Sequence, residues 1–95
     1  MQDLKINAVC MDPKDSVVTV TVPVEPGDAV CWLWGKDRYS VTAVEKVPQY
    51  HKIAVKDAKK GEYVLKYGEK IGVATKDIKT GQHVHVQNLA SESQQ

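Results

Sequence analysis

The feature that most constrains this chain is an internal repeat. Residues 54–64 read AVKDAKKGEYV and residues 74–84 read ATKDIKTGQHV, which sets Asp57 and Asp77 in register at an offset of 20 residues. A unit this short cannot bury an apolar face alone, so the copies must pack on one another or on the rest of the chain. Each copy reads as a strand, an Asp, one helical turn closed by Gly, and a second strand. Asp57 and Asp77 are expected to cap the free N–H groups of the turn, and Gly61 and Gly81 to adopt the left-handed conformation that ends it. Between the copies, Lys66, Tyr67, Gly68 and Glu69 form a tight turn around Gly68.

The first half reads as β as well. Residues 16–24 hold Val17, Val18, Thr19, Val20, Thr21, Val22 and Val24, a near-alternating β-branched run that favours a strand. Pro23 then belongs at a strand end or an edge. Glu25, Pro26, Gly27 and Asp28 form a turn. Val30 to Trp34 and Tyr39 to Val44, separated around Gly35, read as a hairpin. Residues 1–14 end in a turn-like Asp12-Pro13-Lys14-Asp15 cluster and read as an arm or short edge element; residues 15–90 form one domain; residues 91–95 are a polar tail. The fold class expected is mostly β, with no helix longer than the turns after Asp57 and Asp77.

Charge and apolar content narrow the function classes. With 95 residues, 13 Lys+Arg against 12 Asp+Glu and a net charge of +1, the chain lacks the basic excess that nucleic acid or an anionic membrane would select. Its longest apolar run, residues 29–34, is far short of a membrane span, and residues 1–10 carry no apolar signal core. A cytoplasmic location is expected, with Cys10 and Cys31 reduced and structural.

His83 and His85 lie two apart in a predicted strand, so both are expected on one face, with Val84 and Val86 on the other. Such a pair can bind a divalent metal, move a proton, or hydrogen-bond a carboxylate. Lys66 could neutralise a substrate carboxylate and Tyr67 donate it a hydrogen bond. Asn88 is placed either to fix the end of the His83/His85 strand or to reach substrate hydroxyls. Trp32 and Trp34 share a strand face, suited to sheet core or subunit contact more than to stacking on a sugar.

Four spaced motifs in order carry a resemblance: residues 50–55, residues 57–68 with Gly61 and Gly68, residues 71–75, and residues 81–89 around His83 and His85. Together they resemble the SAF domain of altronate and galactarate dehydratases. The resemblance implies a β-clip fold of bent hairpins. It also implies a large dehydratase subunit as partner, since this segment is either fused to such a domain or encoded beside it, as in sulfolactate-type enzymes. The function implied is that of a hydro-lyase small subunit, inactive alone, adding residues to a shared site that eliminates water from a small hydroxy acid. His51, His83 and His85 are then the catalytic candidates, His83 and His85 the metal ligands, and Lys52, Lys66, Tyr67 and Asn88 the substrate-binding set. The cofactor expected is a divalent metal ion, iron being one candidate, shared with the large subunit. Where the family pattern often has a third histidine, this chain has Gln87. The alternative is a non-catalytic SAF module that binds carbohydrate or protein.

Overall fold

The repeat is present four times. In the computed structural model, which describes residues 5–91, one unit recurs: an apolar residue in an isolated bridge, a four-residue turn, and a strand. The turns close by backbone hydrogen bonds from Asp28 to Glu25, His51 to Pro48, Glu62 to Lys59 and Gln82 to Lys79, at 2.9–3.0 Å. The third residue of each has positive φ: Gly27 (93°), Tyr50 (68°), Gly61 (92°) and Gly81 (96°). This is the signature of a type II turn. The single helical turns expected after Asp57 and Asp77 are therefore tight β-turns, and among the described residues there is no helix.

The four units pair off. Val24 bridges Val47, and Ala58 bridges Ile78, each pair exchanging two backbone hydrogen bonds of 2.7–2.9 Å. Asp57 and Asp77 cap across the second pair, not within their own turns as expected. Asp57 accepts from the backbone N–H and hydroxyl of Thr80, and Asp77 from the backbone N–H of Lys60. Reciprocal capping ties each turn to its symmetry mate, so neither copy is closed without the other.

The strands are β1 (Ala8–Val9), β2 (Val17–Val20), β3 (Ala29–Trp34), β4 (Asp37–Thr42), β5 (Lys52–Ala54), β6 (Tyr63–Lys66), β7 (Glu69–Ala74), β8 (His83–Val84) and β9 (Leu89–Ala90). They form three antiparallel sheets, in the orders β1-β2-β5-β8, β3-β4 and β6-β7-β9. The Val-rich run is broken after Val20, because the chain must turn before Val24 can reach Val47. Residues 5–14 are more than an arm: β1 pairs with β2, Ala8 is buried, and the Asn7 side chain bonds the backbone of Ala29 and Cys31. Residues 1–4 of the arm and 92–95 of the tail lie outside the described residues.

The four-stranded sheet is buried on both sides. Adjacent residues Val17 and Val18, and likewise Ile53 and Ala54, are all at most 1% exposed. Strand alternation sends Val18, Val20 and Ile53 into one core with Val24, Val30, Trp32 and Val47. Val17, Ala54 and Val84 enter a second core with Ala58, Val64, Ala74 and Ile78. Each hairpin closes one core, β3-β4 the first and β6-β7 the second. Buried Asp15 secures the β6-β7 turn by accepting the backbone N–H groups of Tyr67 and Gly68 at 3.0 and 2.8 Å.

Tyr50 occupies the left-handed position that glycine fills in the other three units, and it is 69% exposed. A non-glycine residue there costs roughly 1–2 kcal/mol, partly offset by the roughly 0.5–1 kcal/mol of chain entropy that glycine loses on folding. Tyr50→Gly is therefore expected to stabilise the fold by about 0.5–1 kcal/mol, a rise of a few degrees in melting temperature. A lower melting temperature would show that the Tyr50 ring contributes packing that outweighs the strain.

Candidate functional site: a three-histidine cluster

His51, His83 and His85 meet at the β5-β8 edge. Their ring centroids lie 5.0 Å (His51–His83), 4.6 Å (His51–His85) and 5.5 Å (His83–His85) apart. His51 Nδ1 is 2.9 Å from His83 Nε2, a hydrogen bond whose proton sits on one ring or the other. Register explains the first contact: Ile53 pairs with His83, so His51, two residues before Ile53, emerges on the same face.

The turn chemistry frees His51 for this role. At the equivalent position of the other three turns, Asp28, Glu62 and Gln82 fold back to accept the backbone N–H of Glu25, Lys59 and Lys79, at 2.6–2.9 Å. In the second unit the residue to be capped is Pro48, which has no N–H. His51 therefore has no capping duty, and its ring turns to His83.

His85 is placed by a local motif and not by a strand. Strand β8 ends at Val84, and residues 85–88 form a turn in which the Asn88 N–H donates to the His85 carbonyl at 3.1 Å. Asn88, 4% exposed, accepts from the His85 N–H at 3.0 Å and donates to the His83 carbonyl at 2.9 Å. Its buried amide thus fixes the two histidines, the first of the two roles open to it in the sequence. The expected apolar backing is half present: Val84 is buried, whereas Val86 is 80% exposed because the turn carries it outward.

Two further residues touch the cluster: Glu45, which the sequence did not single out, and Gln87, which it marked as standing where the family pattern has a third histidine. The Glu45 carboxylate accepts the His83 N–H at 2.9 Å, and Gln87 Nε2 lies 3.1 Å from the His83 carbonyl and 3.4 Å from its Nδ1. Glu45 carries no motif signal; it stands just before a turn that copies the repeat. Burial, then the neighbouring His51 and His85, pushes the His83 imidazole below the usual histidine range, against an opposing pull from Glu45. The neutral ring, the form that binds metals and accepts protons, is favoured.

The lysines form a second group beside the first. Lys52 pairs with Val84 and so leaves the sheet on the face opposite His51 and His83. It lines a shallow depression of about 190 Å³ with His85, Ile71, Val86, Leu89 and Ser91, so His85 bridges the two groups. Burial, and then the charge of nearby Lys66, holds the Lys52 ammonium below its ordinary range. Lys66 Nζ lies 5.1 Å from the centroid of the exposed Tyr67 ring. Trp32 and Trp34 are elsewhere, lining with Tyr39, Cys10 and Val55 a separate apolar pocket of about 250 Å³. Cys10 and Cys31 are free thiols, and burial pushes the Cys10 thiol up.

Residues 6–92 match the altronate/galactarate dehydratase SAF domain. The chain belongs to that family. Among curated proteins, this SAF domain is 35% identical to (2R)-sulfolactate sulfo-lyase subunit alpha of Chromohalobacter salexigens, covering 94% of this chain and 98% of that one. It is 42% identical over 54 residues to the protein of the same name in Paracoccus pantotrophus, covering 57% of this chain and 81% of that one. Altronate dehydratase of Escherichia coli is 38% identical over 93% of this chain, which spans 16% of that protein's length. The SAF domain thus occurs both as a chain of its own and as a small part of a larger enzyme.

Proposed function

We propose that this SAF domain is the small subunit of a lyase acting on an α-hydroxy carboxylate, and that it completes an active site built mainly by a larger subunit, in the cytoplasm. The observation that carries this reading is the convergence of His51, His83 and His85 at one edge, with Lys52 in a depression that His85 also lines. Support comes also from the relatives: one is named a subunit alpha, and another contains the domain within a longer chain.

The chemistry follows from what altronate and sulfolactate share. Both are 2-hydroxy carboxylates with a leaving group on C3, a hydroxyl in one and a sulfonate in the other. Elimination removes the C2 proton, forms the C2–C3 double bond and expels the C3 group; the resulting enol becomes a 2-keto acid. The class proposed is hydro-lyase, with loss of the sulfur group as the variant that the sulfo-lyase relatives suggest.

Lys52 and Lys66 would hold the substrate carboxylate, and Tyr67, at the rim, would donate a hydrogen bond. Asn88 keeps His83 and His85 in place. The histidines act at the reacting carbons by moving a proton or by holding a divalent metal, iron among the candidates. Imidazole nitrogens are fitting donors for such an ion, which would polarise the carboxylate and the departing group. Because the depression that Lys52 and His85 line is open and the three histidines are only half-buried, the larger subunit would close the site over them.

The test is reconstitution. The purified chain alone is expected to turn over no aldonate, aldarate or sulfolactate, and addition of the larger subunit to restore activity. Turnover by the isolated chain would overturn the shared site. A complex that is equally active without this chain would leave the domain a non-catalytic binding module.

A further inference from the structure

Three imidazoles packed on one another, His83 and His85 stacked at 11° and His51 tilted by 32–33° against both, are an unusual use of half-buried space. Among the described residues, the cluster contains one hydrogen bond between rings, His51 Nδ1 to His83 Nε2, and the ring nitrogens of His85 have no hydrogen-bond partner. One nitrogen from each ring can be chosen so that all three lie within 4.8 Å of one another. Among the described residues, the side-chain donor that approaches a ring nitrogen from outside the trio is Gln87 Nε2, 3.4 Å from His83 Nδ1 on the ring edge away from His51. The Glu45 carboxylate is engaged with the His83 backbone.

We propose that His51, His83 and His85 form a three-nitrogen site for a divalent first-row transition metal, complete within this chain and open at one position toward the larger subunit. The inference rests on the shared-site reading and sharpens it: the histidines are ligands, and the proton-accepting base comes from the partner. His51 is an equal member of the set, although it lies 32 residues before His83 in sequence.

The His51–His83 pair is close to what a metal requires, and the His85 ring, with all three nitrogens within 4.8 Å of one another, must close in by at most about 1.5 Å. Metal–imidazole bonds of about 2.0–2.1 Å in a tetrahedral arrangement put ligand nitrogens about 3.3 Å apart. The observed 2.9 Å between His51 and His83 needs an opening of only a few tenths of an ångström. The backbone is already fixed. His51 ends a hydrogen-bonded turn, His83 sits in β8 with its carbonyl and N–H both occupied, and His85 is held by Asn88. All-nitrogen donors suit zinc, iron, cobalt or nickel and are poor ligands for magnesium or calcium, which take oxygen. Three ligands leave a tetrahedral ion one vacant position, the pattern of a catalytic site and not of a structural one.

The experiment uses the full 95-residue chain, Co²⁺ as a visible-absorption probe and Zn²⁺ in competition. One equivalent of Co²⁺ is expected to bind with the spectrum of a low-coordinate nitrogen site, to be displaced by Zn²⁺, and to be unaffected by millimolar Mg²⁺. Outer-shell partners of metal ligands are worth about 10–100-fold in affinity, so each of His51→Ala, His83→Ala and His85→Ala should lose at least about 100-fold. Cys10→Ser should bind normally. Circular dichroism establishes that each variant is folded. Absence of binding by the folded wild-type chain, or undiminished binding by His51→Ala, overturns the inference. If that happens while the same histidine variants still impair the reconstituted complex, the shared site stands and only the metal assignment fails. If the chain binds metal but all three variants are fully active in the complex, the metal centre stands and the catalytic reading falls.

Discussion

His83→Ala and His85→Ala are each expected to lower kcat of the reconstituted complex by roughly a hundredfold or more while leaving the subunits assembled. A hundredfold is about 2.7 kcal/mol of transition-state stabilisation, in the range of general acid–base help and less than a lost metal could cost. Neither ring belongs to the two apolar cores, so truncation should not unfold the chain. The hydrogen bonds that shape this edge use backbone atoms of both residues and the side chains of Glu45 and Asn88, all of which survive the substitutions. What is lost is the imidazole alone. Measuring kcat, KM, metal content and complex formation for each variant separates the roles: a fall in kcat with metal retained points to proton transfer, and a parallel loss of metal to ligation. Full activity in both variants would sink the proposal. Loss of assembly alone would reassign these residues to the subunit interface.

How much of this was legible in the sequence depended on which residues did double duty. The repeat at Asp57 and Asp77 was visible because Gly61 and Gly81 mark both turns. The first-half copies escaped notice because the marks differ. Glu25-Pro26-Gly27-Asp28 reads as an ordinary turn, and the second unit has Tyr50 where a glycine is expected and Pro48 where a capped N–H is expected. That disguise is the functional departure, since Pro48 releases His51. Backbone bridges such as Val24 to Val47 leave no trace in hydrophobic periodicity, being single contacts between segments 23 residues apart. Reciprocal capping by Asp57 and Asp77 was equally hidden, because a carboxylate capping its own turn and one capping a neighbour's have the same local sequence.

The convergence of the three histidines was legible in the sequence, and the way the fold builds it was not. Period two brought His83 and His85 together correctly, yet the strand ends at Val84, and it is Asn88 that holds His85 beside His83. The resemblance implies a catalytic role for His51 and a substrate-binding role for Lys52, its neighbour, and β pleating sends the two to opposite faces. His85 is what joins the imidazoles to Lys52.

Gly81→Ala is expected to be the most damaging single methyl group in the chain. Its φ of 96° already excludes an unstrained L-residue, at roughly 1–2 kcal/mol. In addition, a Cβ at this position would lie 2.4 Å from the Thr42 carbonyl oxygen and 3.4 Å from the Val44 nitrogen, which are backbone atoms. They cannot move away cheaply. The Gly81 N–H donates to Ala54 at 2.8 Å and its carbonyl accepts from Val44 at 2.9 Å, so relief means breaking buried hydrogen bonds worth roughly 1–3 kcal/mol each when left unsatisfied. The total is about 3–5 kcal/mol, a large share of the roughly 5–14 kcal/mol that a domain of this length possesses. Gly61 is the internal control. It occupies the equivalent turn position at φ 92°, but its Cβ would meet nothing within 4 Å, so Gly61→Ala should cost only the strain. Thermal unfolding should therefore show a fall on the order of 15–30 °C for Gly81→Ala and several degrees for Gly61→Ala. Equal shifts would mean that the Thr42 contact yields and that the two halves are less tightly joined than the structure indicates. Gly81 also stands two residues before His83. A Gly81→Ala chain that remains folded at low temperature should lose affinity for Co²⁺ in the three-histidine site, whereas Gly61→Ala should not, because only the former displaces the strand that sets His83 against His51.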